Sequence, residues 1–390
     1  MRALKLTVSA LALAVLAALA ACASTPPAET PAEPEPVESQ PIEPELSAED
    51  VARLRAAEIV DGMSVRERVS SVIMGTAPGV DAAALRAYVA DNGLGGFILM
   101  SSNVPGDPAS LRAITDQLVL DPEFPPLIAI DQEGGEVSRI PWDPNPGANE
   151  LKFLEPEQTA AAFGARAALL GEAGVNVNFG IVADVPSGEG TFIYGRALGA
   201  DAVESAARVS AAVEGERGAV FSTLKHFPGH GAAEGDSHFG VPGTALGFDD
   251  WRASHALPFA AGIDAGAELL MFGHLAYSAV DEAPASLSAE WHRIAREELG
   301  FSGVAVSDDL GMLLSSGVPE YQSLVGVVIR ALVSGADLAL VIQGVDGSTM
   351  PALIDGIAAA VESGVLPEER LDEAAERVAE LRLEAGWDAL

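Results

Sequence analysis

The sequence predicts an α/β fold, a (β/α)8 barrel in a single domain, on three observations. Eight short apolar runs rich in Val, Ile, Leu and Ala recur along the chain. Segments with helical periodicity separate most of them. Polar and ionisable residues stand directly after five of the runs, where the strands of such a barrel end and its βα loops begin. A doubly wound open sheet is the alternative. No Gly-x-Gly-x-x-Gly follows the first run, so dinucleotide binding has no support.

The chain opens with a targeting segment, residues 1–21. Arg2 and Lys5 supply a positive start, and residues 6–21 supply an apolar run too short for a comfortable membrane span. The run ends Leu19-Ala20-Ala21-Cys22, which resembles a bacterial lipobox and implies cleavage before Cys22 and lipid attachment to it. Cys22 is the only cysteine, so no intrachain disulfide is possible. The plainer alternative is a secretory signal with a chance cysteine. Ala23, rather than Asp, follows the cysteine and favours the outer membrane of the cell envelope. Residues 22–46 are rich in Pro, Glu, Ala and Thr and read as an extended, self-repelling linker. Ser47-Ala-Glu-Asp50 has the pattern of a helix N-cap with acidic first-turn residues, and the folded domain is expected over 47–390.

Within that domain the apolar runs are 69–74, 96–100, 127–130, 175–182, 220–224, 268–272, 304–306 and 338–342. Helical periodicity covers 82–90, 110–120, 156–172, 201–214 and 257–265, and 368–387 reads as a closing amphipathic helix. Aromatics are only 5 % of the chain, so the core is expected to be aliphatic. There are 57 acidic and 22 basic residues, a net charge of −35. Such a surface repels nucleic acid and anionic lipid, which leaves the N-terminal lipid as the one expected membrane contact. A monomer is the expected state.

The densest chemistry lies in Lys225-His226-Phe227-Pro228-Gly229-His230-Gly231 and Asp236-Ser237-His238. Three of the six histidines fall between His226 and His238. Pro228, Gly229, Gly231 and Gly235 oppose a regular helix, so the stretch reads as a loop leaving the fifth strand. His226 and His230 are four apart, a metal-ligand spacing on a helix, but Pro228 and Gly229 break that helix. Asp236 and His238 at i and i+2 fall on one side of an extended loop, where the carboxylate orients the ring for proton transfer or merely braces the loop. Asp308 and Asp309 end a buried run. One of them is able to face the barrel mouth as a nucleophile while the other turns to a backbone donor, and Asp309 is equally an N-cap. Asp131 suits two sugar hydroxyls, and Arg139, Arg196, Lys225 and His226 are local cations and donors. Together they describe a polyol-binding pocket.

Four motifs then carry a resemblance. Asp131-Gln-Glu-Gly-Gly, the Lys225 motif, Asp236-Ser-His238 and Ser307-Asp-Asp-Leu-Gly-Met312 resemble glycoside hydrolase family 3 in its β-N-acetylglucosaminidase branch, over residues 65–383. The resemblance implies a retaining mechanism through a covalent glycosyl-enzyme. It implies Asp308 as nucleophile, His238 as acid/base with Asp236 tuning it, and Asp131, Arg139, Arg196, Lys225 and His226 as sugar ligands. It implies no metal and no organic cofactor. His230 is expected to brace the loop. The expected activity is removal of terminal GlcNAc from peptidoglycan fragments or chitooligosaccharides. A β-glucosidase, a phosphorylase and a non-catalytic peptidoglycan-binding lipoprotein are the alternatives. Ile181 stands where the family often has Pro, and Ala197-Leu198 where it often has Ser-Phe, changes that touch fine specificity and remove no reacting group.

Overall fold

The computed structural model describes residues 47–233, 235, 237 and 240–387. Cys22 and the linker, and also Asp236 and His238, lie outside the described residues. Eight parallel strands form the centre: β1 Ile73–Gly75, β2 Gly96–Leu99, β3 Leu127–Ile130, β4 Val177–Val182, β5 Phe221–Phe227, β6 Leu269–Phe272, β7 Val304–Ser307 and β8 Ala339–Val341. They pair in the order β7-β6-β5-β4-β3-β2-β1-β8, and a parallel bridge from Val306 to Leu338 joins the two end strands. The barrel expected from the alternating runs is therefore present, nearly closed.

Strand alternation builds two cores at once. Leu127 and Ala129, Val177 and Phe179, Leu269 and Met271, Val304 and Val306, and Leu338 and Leu340 fill the barrel interior. Ile128, Ile130, Leu270, Phe272, Ala305 and Ala339 point outward into the layer under the helices. Both faces of each strand are buried, which is why the runs read as continuous apolar stretches rather than alternating ones. Val378 and Leu381 of the closing helix Glu368–Trp387 join the interior cluster. Arg382 on the same helix donates to the carbonyls of Pro125 and Phe124, which pins the helix to the chain entering β3.

Two elements differ from the sequence reading. The first half of the run at 69–74 belongs to a helix, Val65–Ser71, and the strand is only Ile73–Gly75. Ser64 and Glu67 form a capping box, each side chain bonded to the other's backbone N–H, and that local signal overrides the apolar run. The fifth strand extends through Phe227, so Lys225 and His226 belong to the strand and not to a loop beyond it. Phe221, Thr223 and Lys225 share one parity. Pairing with β6 then loses register between Leu224 and Phe227, where the strand leaves the regular ladder. The first helix, Ala48–Asp61, has the expected cap, with Ser47 and Asp50 in a capping box.

Beneath the mouth, β4, β5 and the preceding helix meet at a buried acid. Glu216, the last residue of helix Ala202–Glu216, is fully buried. Its carboxyl oxygens take hydrogen bonds from Asn178 Nδ2 at 2.6 Å and Ser222 Oγ at 2.8 Å. Burial pushes this carboxyl up to about 8. From 4.5 to about 8 the folded chain holds a proton that the unfolded chain has lost, so this group makes stability fall as pH rises through that window and level off above it. Urea denaturation at pH 5 and pH 8.5 tests this: Glu216→Gln is expected to lose much less stability between the two values than the parent chain does.

Candidate functional site

The ends of β3, β4, β5 and β7 surround one cleft of about 190 Å³. Asp131 and Glu133 follow β3 at i and i+2, so both carboxylates face the same way. Lys225 on β5 lies between them, 2.9 Å from Asp131 Oδ1 and 2.7 Å from Glu133 Oε1. Arg139 Nη2 reaches the other oxygen of Asp131 at 3.3 Å. Arg196 grips Glu133 with two hydrogen bonds, Nε at 3.0 Å and Nη2 at 2.7 Å. Burial raises both carboxyls, but Lys225 with Arg139 in one case and with Arg196 in the other more than offsets it, so both stay below the usual carboxylate range. Burial likewise lowers Lys225, and Asp131 and Glu133 reverse this and hold it above its ordinary value.

Gln132 fixes the loop that carries these acids. It is buried, and its Oε1 accepts from the backbone N–H groups of Arg139 at 2.7 Å and Ile140 at 3.0 Å. Its Nε2 donates to Ser138 and to Asp143, both at 2.8 Å. Its backbone exchanges hydrogen bonds with Asn178 on β4, which also holds Glu216. The floor of the site and the buried acid below it are thus one network.

Asp184, just after β4, organises the next wall. It is fully buried and accepts from His226 Nδ1 at 2.8 Å and from the backbone N–H of His230 at 2.5 Å. Burial would raise it, but these two histidines hold it down at about 2. Because a carboxylate only accepts, His226 Nδ1 carries the hydrogen, and Nε2 faces Arg196 Nη2 at 3.5 Å. The turn after β5 is held from outside by Trp251 Nε1 on the Pro228 carbonyl and Tyr277 O–H on the Gly229 carbonyl. Gly229 has φ +126°, a conformation side chains rarely adopt. Ser237 is buried in the cleft wall.

The paired acids after β7 divide their work. Asp309 is buried and its carboxylate is taken up by the backbone, accepting from the N–H groups of Gly311, Ile342 and Gln343. Asp308 lines the cleft, and the Asp309 N–H donates to its Oδ1 at 2.8 Å. Burial raises the Asp308 carboxyl, and the fields of His274, His226 and Lys225 together with that hydrogen bond bring it below the usual range. His274 donates from Nε2 to the Asp309 carbonyl at 2.8 Å, while Nδ1 meets Ser286 Oγ at 2.7 Å. It therefore holds the turn that presents Asp308.

The cleft brings together Asp131, Arg139, Arg196, Lys225, His226 and Asp308. Sequence reasoning places Asp184 and His274 only as polar residues standing after the fourth and sixth apolar runs, and gives no role to Glu133 or Gln132. The i, i+2 spacing of Asp131 and Glu133 at a strand end was a readable signal. Asp184 shows only as a lone acid after an apolar run, and its partners come from another strand. His230 braces the loop through its backbone N–H, but its ring lines the cleft. The His226 and His230 rings meet edge to face with centroids 5.9 Å apart, not as a helical pair.

The Glycosyl hydrolase family 3 N terminal domain matches residues 52–381 of this chain. A beta-hexosaminidase of Stenotrophomonas maltophilia is 33 % identical over 294 residues, covering 71 % of this chain and 82 % of that protein. Among solved structures, a glycoside hydrolase family 3 beta-N-acetylglucosaminidase from Paenibacillus is 30 % identical with a TM-score of 0.75, covering 84 % of this chain. This chain spans 64 % of that protein's length. A family 3 glycosyl hydrolase from Mycobacterium smegmatis is 29 % identical with a TM-score of 0.73, covering 83 % of this chain and 98 % of that one.

Removing one member of the buried ion lattice strands the others. Glu133→Ala is expected to lower stability by about 3 kcal/mol, because Lys225 and Arg196 lose a shared counter-charge. In urea denaturation a double variant that also carries Lys225→Met should lose less than the sum of the two single changes.

Proposed function

The chain belongs to glycosyl hydrolase family 3, and from that premise we propose that it is a retaining exo-β-N-acetylglucosaminidase whose nucleophile is Asp308. One observation carries the assignment. Asp308 is a carboxylate held below its usual range at a cleft whose other walls carry Asp131, Glu133, Lys225, Arg139, Arg196 and His226. Those groups suit a polyol, since each carboxylate retains lone pairs for hydroxyls and each cation retains N–H donors. Asp309 N–H holds Oδ1, and no described residue donates to Oδ2, which is the oxygen assigned to the attack.

In the first step Asp308 Oδ2 bonds to the anomeric carbon as the glycosidic C–O bond breaks, and His238 gives its proton to the departing oxygen. In the second step water attacks the same carbon, His238 takes the water's proton, and Asp308 leaves as a carboxylate. Asp236 orients and tunes His238. His238 gives the proton as an imidazolium and is left as a neutral imidazole, so unlike a carboxylate donor it adds no negative charge to the site at either stage. The substrates are GlcNAc-terminated peptidoglycan fragments or chitooligosaccharides. The Leu19-Ala20-Ala21-Cys22 sequence supports a lipid anchor at Cys22, holding the barrel at the cell envelope on its acidic linker. Loss of labelled-lipid incorporation in Cys22→Ser is the expected result for the anchor, and full incorporation in that variant excludes it.

Asp308→Asn is expected to lower turnover of nitrophenyl GlcNAc by roughly 10³-fold or more while GlcNAc binding stays measurable by calorimetry. Turnover equal to the parent chain's removes Asp308 from the mechanism. The parent enzyme assayed on nitrophenyl GlcNAc and nitrophenyl glucose, with and without phosphate, tests the substrate. Hydrolysis of the glucoside alone, or a requirement for phosphate, replaces the proposed activity.

A further inference from the structure

His230 is 2 % exposed, yet neither of its ring nitrogens meets a hydrogen-bond partner among the described residues. Buried polar groups are normally paired, and one left unpaired at the wall of a cleft calls for a partner from within the cleft. The ring is not free to turn elsewhere. Its backbone N–H is committed to Asp184. The next residue, Gly231, sits so close to the Val185 carbonyl that an added Cβ would lie 1.8 Å from that oxygen. Phe192 packs against the imidazole edge to face, with centroids 4.6 Å apart at 74°. Phe192 and His230 line the same cleft as Asp308, Arg196 and Lys225. Burial pushes the imidazole down to about 4, so near neutral pH it is uncharged and offers one N–H donor and one acceptor nitrogen.

We propose that His230 is a further substrate-binding residue, its ring hydrogen-bonded to a polar substituent of the sugar in the cleft, with Phe192 packed against the ring to hold its orientation. This rests on the glycosidase reading of the cleft. The substituent is the 2-acetamido group or a ring hydroxyl, both of which offer a donor and an acceptor. A group that binds the sugar equally in the ground and transition states raises KM when lost and leaves kcat in place.

The test compares the parent enzyme with His230→Phe, which keeps a ring against Phe192 without the nitrogens, and His230→Gln, which restores a donor and an acceptor. With nitrophenyl GlcNAc, KM is expected to rise about 10- to 100-fold in His230→Phe with kcat within about threefold, and His230→Gln to recover part of the loss. Calorimetry with free GlcNAc and free glucose reads binding directly. Weakening confined to GlcNAc assigns the acetamide, and equal weakening of both sugars assigns a shared hydroxyl. KM and GlcNAc affinity unchanged in folded His230→Phe overturn the proposal, as does a lowered Tm of that variant with KM unmoved, which is the signature of packing alone. If His230→Phe does not fold, the same two outcomes are read from His230→Leu, which also lacks the donor and the acceptor. A parent enzyme inactive on nitrophenyl GlcNAc overturns the glycosidase reading instead, and the GlcNAc-binding comparison still decides His230.

Discussion

Lys225 is buried at the barrel mouth only because Asp131 and Glu133 hold its ammonium. Removing an ammonium from water is costly, and two carboxylates within hydrogen-bond distance offset that cost. Each acid then needs its own complement: Arg139 closes on Asp131 and Arg196 on Glu133. Three cations therefore face two acids, a local surplus of one positive charge beside Asp308. In a chain whose net charge is −35, the cleft carboxylate Asp308 is kept ionised by the fields of His274 and His226, by the Asp309 N–H, and by Lys225 of this lattice. The surface charge as a whole would do the opposite.

The rest of the site supports that lattice from three sides. Asp184 ties β4 to the turn after β5 and sets which nitrogen of His226 carries a hydrogen. Asp309 is satisfied by the backbone around residues 342 and 343, which welds the end of β7 to the loop after β8. Elsewhere Asp337 repeats the same physics. It is fully buried, meets Arg296, Arg370 and Arg377, and accepts from Ala305 N–H, joining β7 to the closing helix. Charge pairing thus sets register where apolar packing alone would tolerate a slip, and the site inherits that rigidity.

Much of the fold was legible in the residues because local rules and burial agreed. The helix Pro156–Glu172 begins and ends where the periodicity places it, and so does Glu368–Trp387. Disagreement arose where two signals competed. Val69 and the apolar Val72-Ile73-Met74 frame a run that reads as one strand, but the Ser64–Glu67 capping box starts a helix that takes the first half of that run, through Ser71. Proline and glycine after Lys225 suggested that the strand had already ended. Parallel pairing with β4 and β6 carries it on to Phe227, and no single-chain pattern encodes that pairing.

By itself the sequence determined the number of βα units, the strand ends that carry chemistry, and the assignment of one of Asp308 and Asp309 to the mouth and the other to the backbone. Those are consequences of period, burial and hydrogen-bonding capacity, which act over a few residues. Only the tertiary structure decided that Glu133 rather than Asp131 alone anchors Lys225 and Arg196, that Asp184 orients His226, and that the ring of His230 faces the cleft instead of bracing the loop. Each of those contacts spans tens of residues in the chain. They exist because closing the barrel brings the ends of β3, β4, β5 and β7 to one point, where every buried charge has to find its partner on another strand.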